Sequence, residues 1–318
     1  MTPMPPRYSF VLPVYEEEAL LPELFDRLAS VLGQLDGEAE VVLVDDGSRD
    51  RTLELLRAQA ARDPRFRVLA LSRNFGHQAA ITAGIDHASG DAVVVMDSDL
   101  QDPPEVALDL AKRWQEGYEV VYAVREDRQG DPLVKRLLAR LYYRTLRKLT
   151  AVDIPPDVGD FRLVDRRALD EFRALREHNR YVRGMFSWIG FRQTGVPFTR
   201  DARHSGTPKY STRRSLRLGI DGVISFSNVP LRLALSLGFF FAVTAFVLGT
   251  FAIIGKVTGI YEAVPGAAWI LVGVAFLGGV QLIVIGMMGL YVARIYDEVR
   301  RRPLYIVSES HGFDERAS

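Results

Sequence analysis

The sequence predicts an α/β protein: a Rossmann-like, mainly parallel sheet in the first part of the chain, followed by two membrane-crossing helices. Three observations lead there. From Tyr8 to Met96, short apolar runs alternate with helical patterns. Three of those runs stop at acid-rich polar clusters. Farther on, Leu233–Gly255 and Ala263–Ala293 hold no formal charge over 23 and 31 residues.

The elements follow in order. Tyr8–Val14 (YSFVLPV) is a short apolar strand that ends at Pro13 and an acidic cluster. Ala19–Leu35 has the Leu and Ala spacing of a helix. Glu40–Val44 is a second strand, and Ser48 or Asp50 is expected to cap a helix over Thr52–Arg62. Phe66–Leu71 is a third strand, His77–Ala88 a helix and Ala92–Met96 a fourth strand. Strand–helix repeats of this length imply right-handed crossovers and a parallel sheet. Strands apolar along their whole length agree, because both faces of such a sheet are covered.

Ligands of open parallel sheets bind beyond the carboxyl ends of the strands. Pro13-Val14-Tyr15-Glu16-Glu17, Asp45-Asp46-Gly47-Ser48 and Asp97-Ser98-Asp99-Leu100-Gln101 are therefore expected to gather on one edge. Asp97 and Asp99, at i and i+2 after a buried strand, would point to one side of an extended chain, and Gln101 continues the series. Hard oxygen ligands with open positions suit Mg²⁺ or Mn²⁺ bridging phosphates. An Asp-x-Asp pair alone occurs in any solvated turn; its place at a strand end beside two other acidic ends favours the metal. The chain has no GxGxxG or GxxxxGK[ST], so dinucleotide and P-loop readings lose support.

Composition narrows the class further. Across 318 residues, 40 Lys+Arg balance 40 Asp+Glu, which argues against a nucleic-acid binder driven by bulk charge. The absence of Cys removes disulfides, thiolate metal sites and a Cys nucleophile. His77, His87, His178 and His204 lack metal-ligand spacing and are expected in surface or core roles, as Trp114 and Trp188 are in packing.

The mean hydropathy of +0.03 averages two unlike halves. At 1.5 Å per residue, either uncharged stretch crosses a hydrocarbon layer about 30 Å thick. Helices buried in a soluble protein rarely stay apolar on every face for so long. Pro265 and Gly266 are expected in the turn before the second span. Arg213, Arg214, Arg217 and Arg232 precede the first span, and Arg294, Arg300, Arg301 and Arg302 follow the second, whereas the connection holds only Lys256 and Glu262. The positive-inside rule then places both chain ends in the cytosol. The N-terminal MTPMPPRYSF lacks the apolar stretch of a signal peptide. Gly273, Gly278, Gly279, Gly286 and Gly289 would let the second span pack closely on the first or on another subunit. Tyr210–Asn228 mixes Arg with Leu and Ile at spacings of three and four, as an amphipathic helix in the membrane interface would. Leu304–Val307 is expected to return as an edge strand.

VLPVYEEE, VVLVDDGSRD, SRNFGHQAA and MDSDLQDPPE resemble family 2 glycosyltransferases with the GT-A fold. With GDFRLVDRRAL and the two spans added, nearly the whole chain resembles polyprenyl-phosphate glycosyltransferases, the group of dolichyl-phosphate mannose synthase. It is most similar to bacterial undecaprenyl-phosphate glucosyltransferases of the GtrB type. The resemblance implies a cytosolic GT-A domain at 1–209, an interfacial helix at 210–228, two spans within 229–293 (about 231–255 and 267–292) and a cytosolic tail at 294–318. It further implies that Pro13, Tyr15, Glu17, Val44 and Asp46 line the nucleoside pocket, and that Asp97, Ser98, Asp99 and Gln101 hold the metal and the donor diphosphate. Arg125 would face the acceptor phosphate, and Arg203 and Lys209 would reach the phosphates of the nucleotide sugar from a later hairpin. Thr207-Pro208 departs from the family's more frequent Ser before Lys-Tyr. Asp160 matches the proposed catalytic base. A phosphate monoester is already anionic near neutral pH, so Asp160 would serve as proton acceptor or as orienting charge.

The implied reaction is a metal-dependent, inverting transfer of one sugar, glucose from UDP-glucose, to undecaprenyl phosphate at the cytosolic face of a bacterial inner membrane. Other donors (GDP-mannose, UDP-GlcNAc, a UDP-aminoarabinose derivative), a processive polysaccharide synthase and a non-catalytic membrane scaffold are the alternatives. The synthase is disfavoured because the chain has no QxxRW and few spans, and the scaffold because Asp46, Asp97, Asp99, Asp160 and Arg203 are all present. A homo-oligomer is compatible with the glycine-rich span.

Overall fold

A computed structural model of the chain describes residues 7–125, 158–199, 229–258 and 266–313. Among these, eight strands form one sheet: β1 (Tyr8–Val14), β2 (Ala39–Asp45), β3 (Phe66–Leu71), β4 (Ala92–Val95), β5 (Val120–Arg125), β6 (Val158–Asp165), β7 (Gln193–Phe198) and β8 (Val307–His311). The order across the sheet is β7-β5-β6-β4-β1-β2-β3-β8. The middle of that order, β4-β1-β2-β3, is parallel throughout. The chain winds outward from β1 in both directions, so the topological switch point, where ligands collect in such sheets, lies at the carboxyl ends of β1 and β4.

β1, β2 and β4 are apolar because helices cover both faces. Phe10, Leu12 and Val14 pack with Leu21, Leu24 and Leu28 of α1 (Leu21–Leu32) in one core. Leu21, Leu24, Leu28 and Val31 recur on one face of α1, and each fully buried Leu contributes about 1.5–3 kcal/mol. α2 is Thr52–Arg62, and α3 is His77–His87. Gly84 of α3 faces β1, where an added Cβ would sit 2.3 Å from Val11 Cγ1. Only glycine allows α3 so close to the sheet. α4 (Val106–Gln115) and α5 (Arg166–Ala174) follow β4 and β6, and α6 (Val182–Trp188) precedes β7.

Several local expectations are met: β1, α2 and β3 have the expected bounds, and the other early elements differ by one to three residues. At α2 the Asp50 carboxylate accepts the Thr52 amide, whereas the Ser48 hydroxyl accepts the Glu16 amide. Ser48 therefore ties two loops of the edge together and caps nothing. Trp114 packs as expected, edge-on to Tyr8, but Trp188 is 60% exposed. The edge strand on β3 begins at Val307, not Leu304. Pro303 offers no amide to a ladder, and the Tyr305 hydroxyl is engaged with Asp86, so pairing starts beyond them.

The chain divides into two compact units. One holds the described residues up to 199 together with 302–313, the other the two long helices. α7 (Val229–Val257) and α8 (Gly266–Arg300) contain windows of mean hydropathy 2.0 and 1.9 that are 6% and 0% buried. Phe246 and Val257 are 76% and 82% exposed, which a core helix of a soluble protein would not tolerate. Both helices are thus long and apolar enough to cross a membrane, and α8 takes in Gly266, which was expected in the turn before it. Phe241 meets Phe276 edge-on, joining the pair. Among the described residues, a methyl group at Gly273, Gly278, Gly279, Gly286 or Gly289 would meet nothing within 4 Å. The candidate interfacial helix at 210–228, Arg203, Lys209 and Thr207-Pro208 lie outside the described residues.

Candidate active site

The loops after β1, β2 and β4 meet at the switch point. Pro13 and Val44 are register partners on adjacent strands, and the Ser98 hydroxyl donates to the Pro13 carbonyl at 2.9 Å. Glu17 and Thr52 are joined because the Thr52 hydroxyl accepts the Glu17 amide at 3.0 Å, while half-buried Tyr15 lies between Val14 and Glu16 on the same loop. Five expected nucleoside-pocket residues, Pro13, Tyr15, Glu17, Val44 and Asp46, therefore occupy neighbouring strand ends. Two non-glycine residues of this edge, Glu16 (φ 53°) and Leu100 (φ 55°), are left-handed. Such strain persists where the surrounding structure over-determines it, often at functional sites.

Asp46 does more than line an edge. Its two carboxylate oxygens accept the amides of Phe75 and Gly76 at 2.7 and 2.9 Å. Burial pushes this carboxyl up, and those two amides oppose the shift. Gly47, at φ 72°, lies where a Cβ would come within 2.7 Å of the Arg73 and Asn74 backbone. Asp46 and Gly47 thus seat the 73–76 loop and set the start of α3, whose first residue is His77.

Asp97 and Asp160 face each other through strand register. β4 pairs antiparallel with β6, Val95 opposite Arg162. Continued two residues, that register sets Asp97 opposite Asp160. Asp160 is the third residue of β6. His77 bridges the two carboxylates: its Nε2 lies 3.1 Å from Asp160 Oδ2 and 3.5 Å from Asp97 Oδ1. The expectation that His77 serves only as a surface or core residue is therefore corrected. Arg183 of α6 adds a fork, with Nε to Asp160 Oδ1 at 2.9 Å and Nη2 to Oδ2 at 3.1 Å.

These contacts set the charges. Burial opposes ionisation of Asp160, but the Arg183 guanidinium and His77 outweigh it and hold the carboxyl well below the usual range. Burial also works against the His77 imidazolium, yet the Asp160 hydrogen bond and the Asp97 charge raise its pKa. Asp97 has no such fork. Burial and the neighbouring Asp160, Asp102 and Asp99 charges push it up to about 6 against the pull of His77.

The donor set fits a divalent cation. One oxygen or nitrogen each of His77, Asp97 and Asp160 lie within 4.8 Å of one another, and the buried Asp97 Oδ1 has no hydrogen-bond partner among the described residues. Asp99 points into its own loop, accepting the Gln101 amide at 3.1 Å. Arg125, at the end of β5, stands 3.5 Å from Asp102 and beside Gly159, where a Cβ would approach its Nη2 to 3.1 Å. The candidate acceptor-phosphate residue thus borders Asp160. Asp102 and Arg183 join the site without having been expected there.

The model of the family described as glycosyl transferase family 2 matches residues 9–173. The chain belongs to glycosyl transferase family 2. It is 45% identical over 310 residues to an uncharacterized glycosyltransferase, YkcC, of Bacillus subtilis strain 168, covering 98% of this chain and 96% of that one. Over 305 residues it is 39% identical to the SfII prophage-derived bactoprenol glucosyl transferase of Shigella flexneri, covering 96% and 98%. Among solved structures it is similar to the mannosyltransferase PcManGT of Pyrobaculum calidifontis in complex with GDP-Man and Mn²⁺, with a TM-score of 0.46 at 19% identity over 94% of this chain and 89% of that one. As a family 2 glycosyltransferase the chain is an enzyme, and its sheet-bearing unit has the GT-A fold.

Proposed function

We propose that this family 2 enzyme moves a single glucose from UDP-glucose to undecaprenyl phosphate, with inversion, at the cytosolic face of a bacterial inner membrane. One observation carries the reading. Asp97, Asp160 and Arg125 converge at the switch point of a chain that aligns almost end to end with a bactoprenol glucosyl transferase. The two exposed apolar helices agree with a lipid acceptor. On the positive-inside rule both chain ends are cytosolic and the 256–262 connection is outside.

Pro13, Tyr15, Glu17, Val44 and Asp46 bind the nucleoside in this proposal, with Ser98, Arg203 and Lys209 at the phosphates. Asp97 is the central metal ligand. Asp99 and Gln101 complete the set expected from sequence, and His77 and Asp160 the set supported by proximity. Bound there, Mg²⁺ or Mn²⁺ would supply positive charge for the departing nucleotide diphosphate. Arg125 holds the acceptor phosphate, whose shape and charge suit a planar guanidinium. Asp160 orients the array as a fixed anion. Its low pKa makes it a weak base, and an acceptor already ionised near neutral pH needs no strong one.

The test is transfer of radiolabel from UDP-[¹⁴C]glucose to undecaprenyl phosphate by membranes carrying the enzyme. Expected is chloroform-soluble, mild-acid-labile label that disappears with excess EDTA and returns with Mn²⁺ or Mg²⁺. Label from a different donor in a panel would replace the sugar, insoluble polymer would indicate a synthase, and EDTA-resistant transfer would remove the metal.

A further inference from the structure

Asp160 is only 4% exposed, and a buried carboxylate stays ionised only where cations are held against it. Among the described residues, two arginines are near. Arg162 lies 3.9 Å from Asp160 Oδ1, but its guanidinium donates to the carbonyls of Gly159 (2.8 Å) and Asp160 (3.3 Å) and covers the Phe186 ring at 5.0 Å. It holds the backbone of β6. Arg183 instead grips the carboxylate itself, one nitrogen to each oxygen, a geometry that fixes the carboxylate plane as well as its charge. Its helix is firmly seated. The first amide of α6, Val182, donates to the Gln78 side chain at 3.0 Å, next to His77. Farther along α6, Phe186 stacks on Phe172 of α5 at 4.2 Å.

We propose that Arg183 is a positioning residue for glycosyl transfer. By forking Asp160 it fixes the carboxylate that His77 and Asp97 face, so the array is pre-formed before substrate arrives. The proposal rests on the transfer reaction proposed above.

The full-length enzyme with Arg183→Lys and Arg183→Gln tests it, by steady-state kinetics with UDP-glucose and undecaprenyl phosphate alongside thermal melting. Lys keeps the charge but cannot span both oxygens. Expected is a kcat lower by about 10-fold for Lys and about 100-fold for Gln, with both KM values within about 3-fold of wild type, the pattern of a lost transition-state interaction. A KM raised tenfold for either substrate at unchanged kcat would make Arg183 a substrate contact. Unchanged kcat in both variants, or melting of both below the assay temperature, would also overturn the positioning role. Wild-type enzyme inactive with every donor sinks the transfer reading itself, an outcome distinct from all of these.

Discussion

Asp97 is under opposing demands. It ends a buried strand, where burial favours the neutral acid, yet the proposed chemistry needs the anion. A carboxyl raised from 3.8 to about 6 adds stability while it is protonated and loses that contribution as pH climbs through about 6. At neutral pH the ionised side chain therefore weighs on the metal-free fold. Asp97→Asn is expected to cut transfer by at least about 100-fold. The same variant should raise the melting temperature of the metal-free enzyme at pH 7.5 by about 2–4 °C. That gain should shrink as the pH falls from about 6 toward 4. A variant that melts lower than wild type at pH 7.5 contradicts the assignment. At this scale Asp97 was legible, because an acidic pair directly after an apolar run falls at a strand's carboxyl end, where parallel sheets bind their ligands. His77 was not, although it follows Gly76 just beyond β3 and opens a helix on the same edge. Its partners Asp97 and Asp160 are distant in sequence, so no spacing rule joins them.

Elements carry the site through close contacts. α3 brings His77 to the edge only because Gly84 lets it rest on Val11. Gly84→Ala gains about 1 kcal/mol of helix propensity, but overpacking against a stiff β-branched neighbour costs about 1–3 kcal/mol. The variant is expected to be destabilised in denaturant melts and to lose transfer activity, and Val11→Ala in the same chain should recover part of both. At its other end α3 is held by α5: Arg173 donates to the Ile85 and Ala88 carbonyls, and Arg166 to those of Ala88 and Gly90. The segment after α8 adds to this. Tyr305 donates to Asp86 at 2.9 Å, Arg57 pairs with Glu309, and β8 closes the sheet on β3. Tyr305→Phe should cost about 1 kcal/mol, read as a lowered melting temperature. No change would mean that the hydroxyl contact is not formed. The strands and helices up to β4 were legible almost to the residue, since apolar runs and helical periods are local. The start of β8 was not, because tertiary contacts of Tyr305 decide where pairing begins.

For the whole molecule, one chain carries a polar GT-A unit and two exposed helices long and apolar enough to cross a membrane, as an enzyme associated with lipid would. Alkaline carbonate extraction should leave it in the membrane pellet, and release into the supernatant would contradict the two-span reading. The sequence by itself determined the alternating elements, two helices long and apolar enough to cross a membrane, and the gathering of acidic strand ends on one edge, because each rests on periodicity, length or a general rule of parallel sheets. Only the tertiary structure decided that Asp160 stands opposite Asp97, that His77 bridges them and that Arg183 grips Asp160. Those relations depend on the antiparallel register of β6 and on how α3 and α6 pack, and such long-range pairing is set by the whole core, not by any neighbouring residues.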